Sequence, residues 1–152
     1  MTQPNALGFQ DNISLSVYEK LLFLEFEAKN HYFDAKKTLA SITPDKEDEG
    51  IAFFAQDSMD RWEYTAQTLQ LMNLRIGAWH LNKTMNFCSQ CERPTNIKDF
   101  LLFCEGQVKA AYASVYDAED NGDYEIKCHN YIFTKFYEWR DFSFFAQGLL
   151  ND

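Results

Sequence analysis

Most of the 6 glycines and 3 prolines in this chain of 152 residues gather at four places, and between those places the apolar residues recur every three to four positions. Such spacing puts one side of each stretch against a core and predicts amphipathic helices. Val17, Leu21, Leu24, Ala28, Ala35 and Leu39 form the first stripe, behind Asn12 and Ser14 as N-cap candidates, which predicts a helix over about residues 14–41. The charged run from Thr43 to Gly50 is a solvated turn. A second helix follows over about 51–75, with Ile51, Phe54, Ala55, Trp62, Thr65, Leu69 and Met72 on one side and Gly77 as its expected C-terminal cap. Two long helices joined by a short turn lie antiparallel.

Residues 78–95 carry no sustained period and form a long connection, about the span needed to run back along a helix. A third helix is expected over about 96–120, on the stripe Phe100, Leu101, Cys104, Val108, Ala111, Tyr112 and Val115. An acidic break pivots on Gly122, and a fourth helix over about 124–149 carries Ile126, Phe133, Phe136, Phe142, Phe144 and Phe145. The expected architecture is all-α: an antiparallel four-helix bundle spanning 1–152 as one domain, with one long crossover between the second and third helices and no fifth helix.

Composition narrows what such a bundle can do. A chain of this size buries roughly 70% of its unfolded surface, so it folds without disulfides or a structural metal. The 14 Lys and Arg against 23 Asp and Glu give a formal charge of −9, which disfavours nucleic acid and anionic membranes as partners and favours cations. Residues Met1 to Gly8 show neither the basic nor the apolar region of a leader, and no apolar run reaches bilayer length. Four cysteines, Cys88, Cys91, Cys104 and Cys128, are then expected to be thiols in a cytoplasmic protein. Cys88 and Cys91 make a lone C-x-x-C, a possible thiol or zinc pair with His80 as a third ligand, yet without the second pair that a zinc site needs.

Several segments, taken in order, resemble the ferritin family. Leu24 to Tyr32 is similar to its first-helix pattern, in which a metal-binding Glu precedes a Tyr by two turns. Phe53 to Gln56, continuing to the Arg75-Ile76-Gly77 ending, is similar to the second helix, and Cys104-Glu105 with Val108 to the metal-bearing turn of the third. Cys128 falls where many ferritins carry a Cys early in the fourth helix. The resemblance implies a hollow cage of identical subunits that stores iron. It further implies Glu25 and Glu105 as remnants of a di-iron ferroxidase centre, with Tyr32 beside them.

The same resemblance marks departures. Arg61 and Tyr64 stand where the second helix should bring a bridging Glu and a His, and Trp139 stands at the Gln position of the fourth. Arg does not deprotonate in a protein, and a unit charge some 4 Å from a cation costs about 4 kcal/mol at an effective dielectric of about 20. The expectation is therefore a ferritin-like iron storage or sequestration protein without a working ferroxidase centre, hence not an enzyme. Iron would bind weakly or as mineral, with no organic cofactor. The Arg61 guanidinium is expected to bridge Glu25 and Glu105 under the Tyr32 and Tyr64 hydroxyls. Asp60 and Glu63 match part of a carboxylate patch on which mineral nucleates in light chains, with a solvated face as the plainer reading. His129 and Ile132 replace the carboxylates that usually line the iron entry pore. Partners expected are further copies of the chain or another ferritin subunit. The alternative is a structural or scaffolding shell protein, or a partner of an active subunit, that no longer handles iron.

Overall fold

The computed structural model describes residues 15–42, 49–80, 93–94, 96–120 and 126–151. Four α-helices carry the chain: α1 Leu15–Ser41, α2 Glu49–His80, α3 Ile97–Asp120 and α4 Ile126–Gln147, the last ending in a 3-10 turn at Gly148–Asn151. No strand occurs among the described residues, and none of these helices is long and apolar enough to cross a membrane.

Local chemistry explains where the helices begin and end. Asn96 caps α3: its side-chain oxygen accepts the Asp99 amide at 2.8 Å, and its Nδ2 donates back to the Asp99 carboxylate at 2.9 Å. Gly77 does not close α2 as the sequence suggests, because the helix runs on to His80. Its small size serves packing instead: a Cβ there would meet the Tyr18 hydroxyl at 3.2 Å. Gly50 likewise lies within the first turn of α2 and not in the preceding turn, and a Cβ on it would press on the Cys128 sulfur at 3.1 Å.

One core fills the middle of the bundle, built on Leu21, Leu24, Trp62, Leu69, Met72, Phe100, Cys104 and Phe142. A smaller cluster of Val115, Cys128 and Ile132, with Ile51 and Phe54 against it, closes one end. Ile132 is thus part of the core of a single chain, 3% exposed. The α4 stripe also differs from the expected one. Cys128, Ile132, Trp139, Phe142 and Ala146 point inward, whereas Phe144 is 83% exposed.

The cross-helix pairs give the directions of the helices. Asn73 meets Leu21 and Trp62 meets His31, so α2 runs antiparallel to α1. Gln147 meets Leu101 and Phe136 meets Tyr112, so α4 runs antiparallel to α3. Arg61 meets Gln107 and Tyr64 meets Phe103, so α3 also runs antiparallel to α2. Phe23 pairs with Phe145 and His31 with Glu138, which sets α1 against α4. The helices therefore alternate up, down, up, down. This order departs from the crossover read from the sequence: a chain leaving the end of α2 enters α3 at the same end of the bundle. The length of sequence between two helices does not by itself fix the direction of the second.

Candidate functional site

The residues that the sequence singles out do not converge on one centre. Glu25 is half-buried and held by two donors, Lys29 Nζ at 2.7 Å and the buried Asn73 Nδ2 at 2.9 Å. Glu105 lies on an exposed part of α3, where its nearest donor is Gln147 Nε2 at a loose 3.4 Å. Arg61 reaches neither carboxylate: its Nε donates to Asp57 at 2.7 Å and its Nη1 to Gln107 Oε1 at 2.8 Å. The Glu25–Arg61–Glu105 network is replaced by these separate pairs, because Asp57 stands one turn from Arg61 on the same helix and takes its guanidinium at little entropic cost.

The two tyrosines are likewise engaged elsewhere. Tyr64 packs on Phe103 with ring centroids 5.4 Å apart, and the Arg93 guanidinium covers it at 4.5 Å while donating to the Tyr64 carbonyl at 3.2 Å. Tyr32 packs at the edge of the core beside Phe33. Asp60 and Glu63 are exposed and each accepts from a Gln one turn away, Gln56 at 3.0 Å and Gln67 at 3.3 Å. Cys88 and Cys91 lie outside the described residues. Among the described residues, no three His, Cys, Asp or Glu side chains gather closely enough to hold a metal ion.

An aromatic stack occupies the centre of the bundle. Trp139 lies flat on Trp62, 3.6 Å between centroids and 3° from parallel, and both are almost wholly buried. His31 stacks on the Trp62 ring at 4.4 Å, and Phe142 meets Trp62 edge-on at 5.1 Å. Aromatic pairs of this kind contribute about 0.5–1.5 kcal/mol each beyond their burial. Trp139, a departure from a metal-ligand pattern in the sequence, is a structural keystone in space.

Beside the stack runs a polar seam that sequence reasoning missed. Lys135, buried at 8% exposure, approaches Glu138 at 3.1 Å and Asp34 of α1 at 3.8 Å, and its ammonium sits over the Tyr131 ring at 4.8 Å. Glu138 in turn lies 3.7 Å from His31 Nδ1. Burial and then the negative charge of Glu138 push the Tyr131 phenol well above its ordinary range; the Ser58 hydroxyl opposes them, and Asp34 and Asp57 add smaller upward pushes. The sequence signal was a Lys and a Glu one turn apart inside an aromatic run, a pattern that reads equally well as an exposed pair. A neighbouring cleft between α2, α3 and α4, lined by Asp57, Ser58, Arg61, Gln107, Ser114 and Lys135, has a volume of about 40 Å³. That is room for about two waters and not for an organic substrate.

The two described cysteines are inert by environment. Burial, reinforced by Glu105, pushes the Cys104 thiol up to about 12, and burial raises Cys128 as well. Both remain protonated at neutral pH and pack as small apolar groups.

No family model matches the chain, and no curated protein or solved structure is significantly similar to it.

Proposed function

We propose that this protein is a non-catalytic helical bundle of the cytoplasm that works by self-association, as a scaffold or shell component, and that its surface and not its centre carries the function. The observation behind this reading is the Trp62–Trp139 stack, which fills the middle of the bundle while Glu25, Arg61 and Glu105 are each committed to separate partners. Large apolar side chains on the outside agree with it: Phe26, Phe33, Phe53, Leu102, Tyr112 and Phe144 are all more than half exposed. Aromatic residues are enriched in protein–protein interfaces relative to the rest of the surface.

Iron sequestration in a cage is the second reading. Exposed Asp60 and Glu63 on one face of α2 favour it, since carboxylates at the surface can collect hard cations. Light scattering with metal analysis on one purified sample, before and after aerobic loading with Fe(II), separates the two. The expected result is a particle larger than one chain that gains no stable iron. A stable iron load retained through gel filtration would establish storage, and a strict monomer at high concentration would overturn self-association.

A further inference from the structure

The α1–α4 seam is pinned at both ends and open between. Phe23 and Phe145 close one end with centroids 5.0 Å apart, and the His31–Glu138 and Asp34–Lys135 approaches close the other. Between them lies a groove of about 450 Å³. Its floor is apolar, formed by the buried Leu24 and Phe142, and Tyr137 stands on its wall. The volume is within the range of about 300–1,000 Å³ typical of small-molecule sites.

The charges on this groove are out of balance. The register set by the end pairs brings Glu27 on α1 to the level of Asp141 on α4, and both line the groove. Glu27 has no hydrogen-bond or ion-pair partner among the described residues. Asp141 meets only Arg140, at 3.4 Å, in a pair that is largely exposed on both sides. Glu138, the third carboxylate, is already neutralised by Lys135. Two carboxylates on one groove add their negative potentials, and a positive ligand between them gains from both. The walls suit a particular kind of cation. Aromatic faces attract ammonium and guanidinium groups, and Tyr137 already carries the Arg140 guanidinium at 4.7 Å on its ring. A bare divalent ion wants more oxygen ligands than two carboxylates supply and gains nothing from phenyl walls.

We propose that the α1–α4 groove binds a small organic cation, an alkyl- or arylammonium, with its charged head between Glu27 and Asp141 and its apolar body against Phe23, Phe145 and Tyr137. The inference is independent of self-association and of iron.

Calorimetric titration of the full chain with phenethylammonium at low salt tests it, with neutral 2-phenylethanol as the isostere. The ammonium should bind, the alcohol should bind about tenfold more weakly or worse, and Glu27→Gln with Asp141→Asn should cost about tenfold in affinity. Phe145→Ala should weaken the ammonium as well. Asp60→Asn with Glu63→Gln makes the same charge change on α2 and should leave binding unaltered. Chemical-shift changes at Phe23 and Phe145 in the unsubstituted protein locate the ligand without relying on any variant. The proposal is overturned if the ammonium does not bind, if the alcohol binds equally well, if the control pair weakens binding as much as the groove pair, or if the shifts fall elsewhere.

Discussion

Single buried polar residues hold this bundle in register. Asn73, 4% exposed, uses one amide nitrogen to satisfy both the Leu21 carbonyl and the Glu25 carboxylate of the neighbouring helix. Asn73→Ala should therefore cost about 1–3 kcal/mol in urea unfolding, more than the loss of one exposed hydrogen bond, because Glu25 keeps only Lys29. Cys104 gives a pH dependence with a defined sign. Its thiol ordinarily titrates at 9.0 and is held up to about 12 in the fold, so the folded state retains a proton that the unfolded state sheds. The stability linked to it is complete below pH 9.0 and is lost as the pH rises toward about 12. Thermal midpoints measured over that range should fall, and fall less steeply in Cys104→Ala. Neither role was written in the sequence. A Glu near two leucines reads as a metal remnant or an ion-pair partner, and only the fold shows that an Asn 48 positions away reaches it.

At the scale of the helices, the sequence was most informative where one face is apolar and the other is not. The α1 stripe of Val17, Leu21, Leu24, Ala28 and Ala35 is buried as its spacing predicts. In α4 the reading erred because aromatic residues occur all round the helix, so no single stripe stands out and Phe144 looked as much a core residue as Phe142. Glycine was the other source of error, since the same residue serves caps, turns and close approaches. The helix interiors separate these uses experimentally. Gly106, in mid-α3, has nothing within 4 Å of a built Cβ. Gly106→Ala should stabilise the protein by about 0.5–1 kcal/mol through helix propensity. Gly50→Ala should gain less or turn destabilising, because the Cys128 sulfur must give way. Urea midpoints of the two variants, compared side by side, check this.

For the whole molecule, the class of fold was legible and the path of the chain was not. Four periodic stretches require four helices, but whether the third runs with or against the second depends on contacts such as Arg61 with Gln107, which no spacing encodes. Phe53 and Tyr116, both exposed, lie at matching levels of antiparallel α2 and α3. Spin labels placed at these two positions, with the native cysteines replaced, should report a distance under about 25 Å; a crossover would carry them apart by most of the roughly 36 Å length of α3. The alternation of helices has a further effect. Helices of 27 and 24 residues point one way and helices of 32 and 22 the other, so their peptide dipoles very nearly cancel. The backbone then adds almost nothing to the long-range field, which is left to the charged side chains and their net charge of −9. Any steering of a charged ligand toward one face must therefore come from where the acidic and basic side chains sit, and not from the direction of the helices.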